Sequence, residues 1–194
     1  NKKQITRTKI IQLLYMKKKY GRRNFINTAI AGGIGLGLSN SFSALYAQSG
    51  ETQKRIGIIG LDTSHSIAFT KALNAVGASA GFKGYRVVAA YPKGSNDIVS
   101  SAERIPGYTE EVKKLGVEIV SSIKELLKKT DYILLETNDG RLHLQQALEV
   151  IKAGKPMFID KPIAASLKDA VAIFKAAEQN NVPVFSSSSL RFMT

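Results

Sequence analysis

Two short polar stretches hold the groups able to do chemistry in this 194-residue chain: Glu136-Thr137-Asn138-Asp139-Gly140-Arg141-Leu142-His143 and, further on, Phe158-Ile159-Asp160-Lys161-Pro162. Each follows an apolar run, Tyr132-Ile133-Leu134-Leu135 and Met157-Phe158-Ile159, and each precedes a helical pattern. Polar groups at the carboxyl ends of neighbouring parallel strands face one crevice, which is where open α/β sheets bind ligands. A lysine at such a strand end, held by a following proline, is expected to be partly buried and to donate or accept a proton. Lys161 is therefore the leading catalytic candidate, with Asp160 and His143 beside it. Asp160 can equally fix the turn by accepting backbone N–H bonds. His143 either serves the crevice or lies on the surface of its helix.

A third polar stretch, Gly60-Leu61-Asp62-Thr63-Ser64-His65, leaves the first apolar run. Asp62 is placed to cap the free N–H groups of the next helix. His65, three residues on, is expected to bond that cap. One histidine and one carboxylate fall short of a metal cage, so no metal site is expected.

The elements that must position these groups alternate. Strand-like runs fall at 55–60, 85–91, 117–120, 132–136, 157–159 and 182–185. Helical patterns fall at 64–76, 109–115, 122–129, 142–153 and 166–180, with Ser122 and Ser166 as N-caps and Gly77 and Gly154 as stops. Near-continuous apolar strands between amphipathic helices indicate a parallel sheet covered on both faces, a doubly wound, Rossmann-like α/β fold.

Charge is distributed unevenly. Residues 1–47 hold nine of the 28 Lys/Arg and none of the 15 Asp/Glu, which leaves 19 basic against 15 acidic residues and a net charge of +4 for the rest. The excess belongs to a leader, and the remaining lysines lack the aromatic interleaving of a nucleic-acid surface. Lys17-Lys18-Lys19-Tyr20-Gly21-Arg22-Arg23-Asn24-Phe25-Ile26 reads as a basic region with a twin-arginine signature. A glycine-rich, weakly apolar stretch follows at 28–38, and Ala44-Leu45-Tyr46-Ala47 offers a cleavage site after Ala47. Residues 1–47 are thus expected to be a twin-arginine (Tat) leader starting at Met16, and the protein periplasmic or otherwise exported, meeting a membrane only through that signal. A basic amphipathic helix is the alternative. The absence of cysteine excludes disulfides and thiolate metal sites.

Four landmarks in order carry a family resemblance: Gly57-Ile58-Ile59-Gly60, residues 137–143, Ala153-Gly154-Lys155 leading into Asp160-Lys161-Pro162, and Leu190-Arg191-Phe192. Over roughly residues 54–194 the chain resembles the N-terminal dinucleotide-binding half of the Gfo/Idh/MocA oxidoreductases. The resemblance implies hydride transfer between NAD or NADP and a sugar or cyclitol-like carbohydrate, and a homo-oligomer. It also implies a second α/β domain beyond this chain. Domain expectations are a linker at 48–54, the nucleotide-binding domain at 55–187, and the start of the second domain at 188–194. The resemblance gives Lys161 the role of orienting a substrate hydroxyl, places His143 on the cofactor side, and places Arg191 on the substrate. Cofactor contacts are expected from Gly60, Leu61, Asp62, Thr63, Ser64, His65, Glu136, Thr137, Asn138, Lys161 and Pro162.

Departures from the family pattern stand beside it. Of Gly-x-Gly-x-x-Gly only Gly60 remains, with Asp62 and His65 at the other two glycine positions. A carboxylate capping the helix would take the donors a pyrophosphate uses and repel it. After the second strand, Tyr91-Pro92-Lys93 lacks the acid that bonds the adenosine ribose, and Lys93 or Ser95 would suit a 2′-phosphate. Two other readings therefore stay open: a non-redox small-molecule or sugar-binding protein, and an NAD-using glycoside hydrolase.

Overall fold

The computed structural model describes residues 53–188. The expected leader, Leu190-Arg191-Phe192 and the substrate role expected of Arg191 lie outside the described residues. Six strands, β1 (Lys54–Ile59), β2 (Tyr85–Tyr91), β3 (Glu118–Ile119), β4 (Tyr132–Leu135), β5 (Met157–Asp160) and β6 (Val184–Ser187), form one sheet in the order β3-β2-β1-β4-β5-β6. Every pairing is parallel. The crossovers run through α1 (Ser64–Asn74), α2 (Ala78–Gly81), α3 (Val99–Lys114), α4 (Ile123–Lys129), α5 (Gly140–Lys152) and α6 (Leu167–Gln179). This is the doubly wound order, and it reverses between β1 and β4. The loops leaving β1, β4 and β5 are therefore neighbours at one edge of the sheet.

Side chains alternate along each strand, and two apolar clusters follow from that period of two. Ile59, Ile133, Leu135 and Ile159 pack with Leu126, Val150 and Ile173 of α4, α5 and α6. Ile56, Ile58 and Val87 pack with Ile67 of α1 and Val112 of α3. α4 sits directly on β1 because residue 57 is glycine: a Cβ there would lie 2.9–3.0 Å from Thr130 and Leu126 side-chain atoms.

Ser122 and Ser166 cap α4 and α6 as expected, each accepting from the backbone N–H three residues on, at 3.1 Å. The helix expected at 109–115 is longer. It begins at Val99 and runs through Pro106. Proline lacks the N–H for an intrahelical bond and ordinarily interrupts a helix. Here Ser101 and Val112, three turns apart on one face, are both fully buried and hold the helix down on either side of the break. The one-turn α2, without an apolar period to announce it, has no counterpart in the sequence pattern.

Candidate functional site at the carboxyl ends of β1, β4 and β5

Gly60 makes the turn out of β1 at φ +90°, and a Cβ on it would lie 2.5 Å from the Thr137 amide nitrogen. Only glycine permits this closeness, which presses the β1 and β4 loops together. Gly60 and Leu61 also donate their N–H groups to Tyr91 and Pro92 carbonyls, at 2.9 and 3.1 Å, tying in the β2 loop.

Asp62 does not do what its position suggests. The residue before α1 is Thr63, whose extended backbone carries no side-chain cap bond. The Asp62 side chain turns inward, fully buried, and its Oδ1 accepts the Asn138 N–H at 3.1 Å. Its Oδ2 lies against Gly94, where a Cβ would overlap it, and has no hydrogen-bond partner. A cap bonds N–H groups two or three residues ahead; here the tertiary contact with the β4 loop has replaced it. Among the described residues, no side chain caps the first turn of α1.

His65 likewise turns away from Asp62. Its Nδ1 lies 2.7 Å from Asp160 Oδ2, across two strands of the sheet order. The Asp160 side chain is 4% exposed and that of His65 29%, so the pair is anchored inside and open at the imidazole. Glu136 completes the group. It is fully buried, and neither carboxylate oxygen has a hydrogen-bond partner. One donor atom from each of His65, Glu136 and Asp160 lies within 4.8 Å of the others. Burial first, then the charges of Asp160 and Asp62, push the Glu136 carboxyl up to about 8 against the opposing pull of Lys161. Glu136 therefore keeps its proton at neutral pH.

Lys161 follows Asp160 directly at the end of β5, and its charge opposes the rise at Glu136, but its side chain is exposed and not partly buried as expected. His143 is corrected more strongly. It is fully buried, with Nε2 2.6 Å from the Thr137 carbonyl and Nδ1 3.2 Å from that of Ile163. A neutral ring donates to only one of these carbonyls; with both nitrogens turned to the loops after β4 and β5, His143 lies off the helix surface and away from the crevice. Gly140 assists: Ala165 N–H bonds its carbonyl at 3.1 Å, and a Cβ would lie 2.9 Å from the Ala164–Ala165 backbone.

The β2 loop supplies one acid, Asp97, to a cluster around Arg141. Arg141 forks onto Asp139, with Nε and a terminal nitrogen at 2.6–3.0 Å, and reaches Asp97 at 2.6 Å. These bonds hold both carboxyls below the usual range and raise the guanidinium. Asp139 also caps α5 by accepting from Arg141 N–H at 3.0 Å. Ser95, expected to suit a 2′-phosphate, is buried and donates to Asp97 at 2.5 Å; Lys93 is exposed. Asp97 lies 44 residues from Arg141 in the sequence, so only the neighbouring Asp139 signals this cluster.

The site can be tested for a dinucleotide on these observations. The uncapped N-terminus of α1 leaves its first-turn N–H groups open to an anion, Gly60 keeps the tight turn, and the buried hydroxyls of Thr63 and Thr137 lack partners. The residues fit the group, with one altered feature: a carboxylate buried beside the turn.

A six-stranded doubly wound domain with a polar crevice at its switch point belongs to the nucleotide-binding class of α/β proteins. Residues 54–188 match the GFO_IDH_MocA model, described as "Oxidoreductase family, NAD-binding Rossmann fold", and the chain belongs to that family. It is 33% identical over 93 residues to a 1,5-anhydro-D-fructose reductase of Ensifer adhaerens, covering 47% of this chain and 27% of that protein. It is 29% identical over 82 residues to an uncharacterized oxidoreductase of Streptococcus pneumoniae, covering 41% and 22%. The WlbA dehydrogenase from Bordetella pertussis, solved with NADH and UDP-GlcNAcA, superposes with a TM-score of 0.56 at 22% identity over 73% of this chain and 38% of that one. That likeness shows the fold. The matched region spans about a quarter of the length of the curated relatives.

Glu136 generates a pH prediction. Its folded-state pKa, about 8, lies above the ordinary 4.5, so between those values the folded protein holds a proton that the unfolded chain has lost. The stability it contributes is complete below pH 4.5, falls as pH rises toward 8, and levels off above. Urea unfolding across pH 5–9, in buffer free of divalent cations, should show this decline, and Glu136→Gln should flatten it. Equal slopes in both proteins would contradict the assignment.

Proposed function

We propose that the full-length protein is an NAD(P)-dependent oxidoreductase acting on a small sugar or cyclitol-like substrate. The observation that carries this reading is the convergence of the β1, β4 and β5 loops on one crevice, with an open helix N-terminus on one side and Lys161 on the other. Family membership supports it, as do the names of the relatives, which act on or bind sugars. The backbone of Gly60, Leu61, Asp62, Thr63, Ser64 and His65 would hold the pyrophosphate side. Glu136, Thr137, Asn138, Lys161 and Pro162 would hold the nicotinamide side. When bound, the dinucleotide supplies a hydride acceptor or donor.

The chain's own residues handle the proton. As the ammonium, Lys161 Nζ orients the substrate oxygen and donates a proton to it when the carbonyl is reduced; in the reverse direction the neutral amine accepts the hydroxyl proton as the hydride leaves. Protonated Glu136 behind it adds no negative charge to trap that ammonium. Asp160 fixes the His65 ring through Nδ1, much as a buried carboxylate orients an imidazole elsewhere in catalysis. We extend the proposal to location: the Arg22-Arg23 leader directs export through the twin-arginine pathway.

Three measurements follow. Titration of full-length protein with NAD+ and NADP+ in the presence of EDTA should show saturable binding. Asp62→Asn keeps the acceptor for Asn138 N–H and removes the charge, so it should tighten binding roughly tenfold, about 1.4 kcal/mol; no saturable binding of either nucleotide rejects the redox reading. Lys161→Ala should leave the fold intact and lower turnover by roughly 10²–10⁴-fold, and retained turnover removes the lysine from the mechanism. In cell fractionation, replacing Arg22 and Arg23 together with lysine should retain the protein in the cytoplasm; unchanged export would sink the leader assignment.

A further inference from the structure

The proposed hydride transfer gives no partner to the two carboxyl oxygens of the buried acid Glu136. A fully buried carboxyl group whose two oxygens find no donor is costly unless something fills the space before them. Its oxygens face the His65–Asp160 pair, with donor atoms from all three residues inside 4.8 Å. We propose that His65, Glu136 and Asp160 form a binding site for a divalent first-row transition-metal cation, with an open coordination position toward the crevice. This goes beyond the nucleotide reading and does not rest on it.

The geometry agrees with one ion. Metal–nitrogen and metal–oxygen bonds are about 2.0–2.2 Å, so two donors on the same ion lie no more than about 4.4 Å apart. At tetrahedral angles the donors lie about 3.3–3.6 Å apart, so the present spread of up to 4.8 Å closes by side-chain rotation of roughly an ångström. His65 Nδ1 and Asp160 Oδ2, 2.7 Å apart as a hydrogen-bonded pair, would open to that spacing with the cation taking the place of the shared proton. The donors come from the first turn of α1, the residue after β4 and the last residue of β5, elements fixed by three adjacent strands. Such rigid placement is what a metal site requires.

Charge agrees as well. Glu136 has Asp160, Asp62 and Lys161 as its charged neighbours. With both ligand carboxylates ionised, three negative charges stand against one ammonium, and a dication brings the local sum to zero. One imidazole and two carboxylates, with no thiolate, select Zn2+, Mn2+ and similar ions over soft monovalent copper. Three protein ligands leave a position for water or a substrate oxygen, and the 29% exposure of His65 supplies the way in. At that position the cation would polarise a hydroxyl or carbonyl of the small molecule in the crevice.

The test is calorimetry of the metal-stripped, untagged full-length protein with Zn2+ and separately with Mn2+, no nucleotide present, with bound metal counted by mass spectrometry after dialysis. One equivalent per chain at micromolar affinity or better is expected, with a Mn2+ spectrum showing nitrogen and oxygen ligation. His65→Ala and Glu136→Gln should each weaken binding by at least the roughly 10–100-fold that loss of an outer-shell partner costs. The surface change Glu178→Gln should leave it unchanged. Circular dichroism checks each fold; if Glu136→Gln fails to fold, His65→Ala, partly exposed, decides alone. Absence of binding at millimolar metal, or one-equivalent binding that folded His65→Ala retains, overturns the proposal. Because the nucleotide titration is run in EDTA and this one without nucleotide, the two readings fail separately.

Discussion

Three carboxyl groups, Asp62, Glu136 and Asp160, are buried close together where the ends of β1, β4 and β5 meet, and the shape of the crevice follows from how that burial is tolerated. Acids of like charge in a poorly solvated space cannot all ionise without compensation. Each has a different answer. Asp62 accepts a backbone N–H from the neighbouring loop, Asp160 has the His65 imidazole, and Glu136 retains its proton. Every one of these answers joins a different pair of loops or fills the space between them.

The scaffold beneath makes the closeness possible. Gly60 allows the β1 turn to touch the Thr137 backbone, Gly94 leaves room for the Asp62 carboxylate, and Gly140 admits the chain after β5. His143 then sits between two of the loops with its ring nitrogens against their carbonyls, one of which takes its N–H. The chain's two histidines thus divide their work. One is sealed in the interior as a structural staple, and the other is half open at the crevice with a carboxylate behind it. Both lie near helix starts, and burial alone separates their roles.

The altered glycine motif takes on a different meaning in this setting. A carboxylate at the second glycine position would obstruct a pyrophosphate if it turned toward the helix. It turns the other way, into a gap between the β2 and β4 loops, and the α1 terminus stays open. The loss of the third glycine puts His65 next to Asp160. A crevice of the oxidoreductase family thereby gains an imidazole–carboxylate pair facing a third acid, a constellation with its own chemistry.

Local pattern was enough for most of the architecture. Apolar strands alternating with amphipathic helices, serines before α4 and α6, and Lys161-Pro162 at a strand end are short-range signals, so the parallel sheet and the general position of the crevice were legible in the residues themselves. The length of α3 was not, since burial of Ser101 and Val112 outweighs the local preference of Pro106 to stop a helix. Nor were the partners of Asp62 and His65, because sequence proximity favours a contact three residues away while the sheet order β1-β4-β5 brings Asn138 and Asp160 nearer. The residues determined which groups stand at the strand ends; only tertiary packing decided which of them are dry, which are paired, and which face the crevice, since burial and long-range hydrogen bonds are properties of neighbours that the chain brings together only on folding.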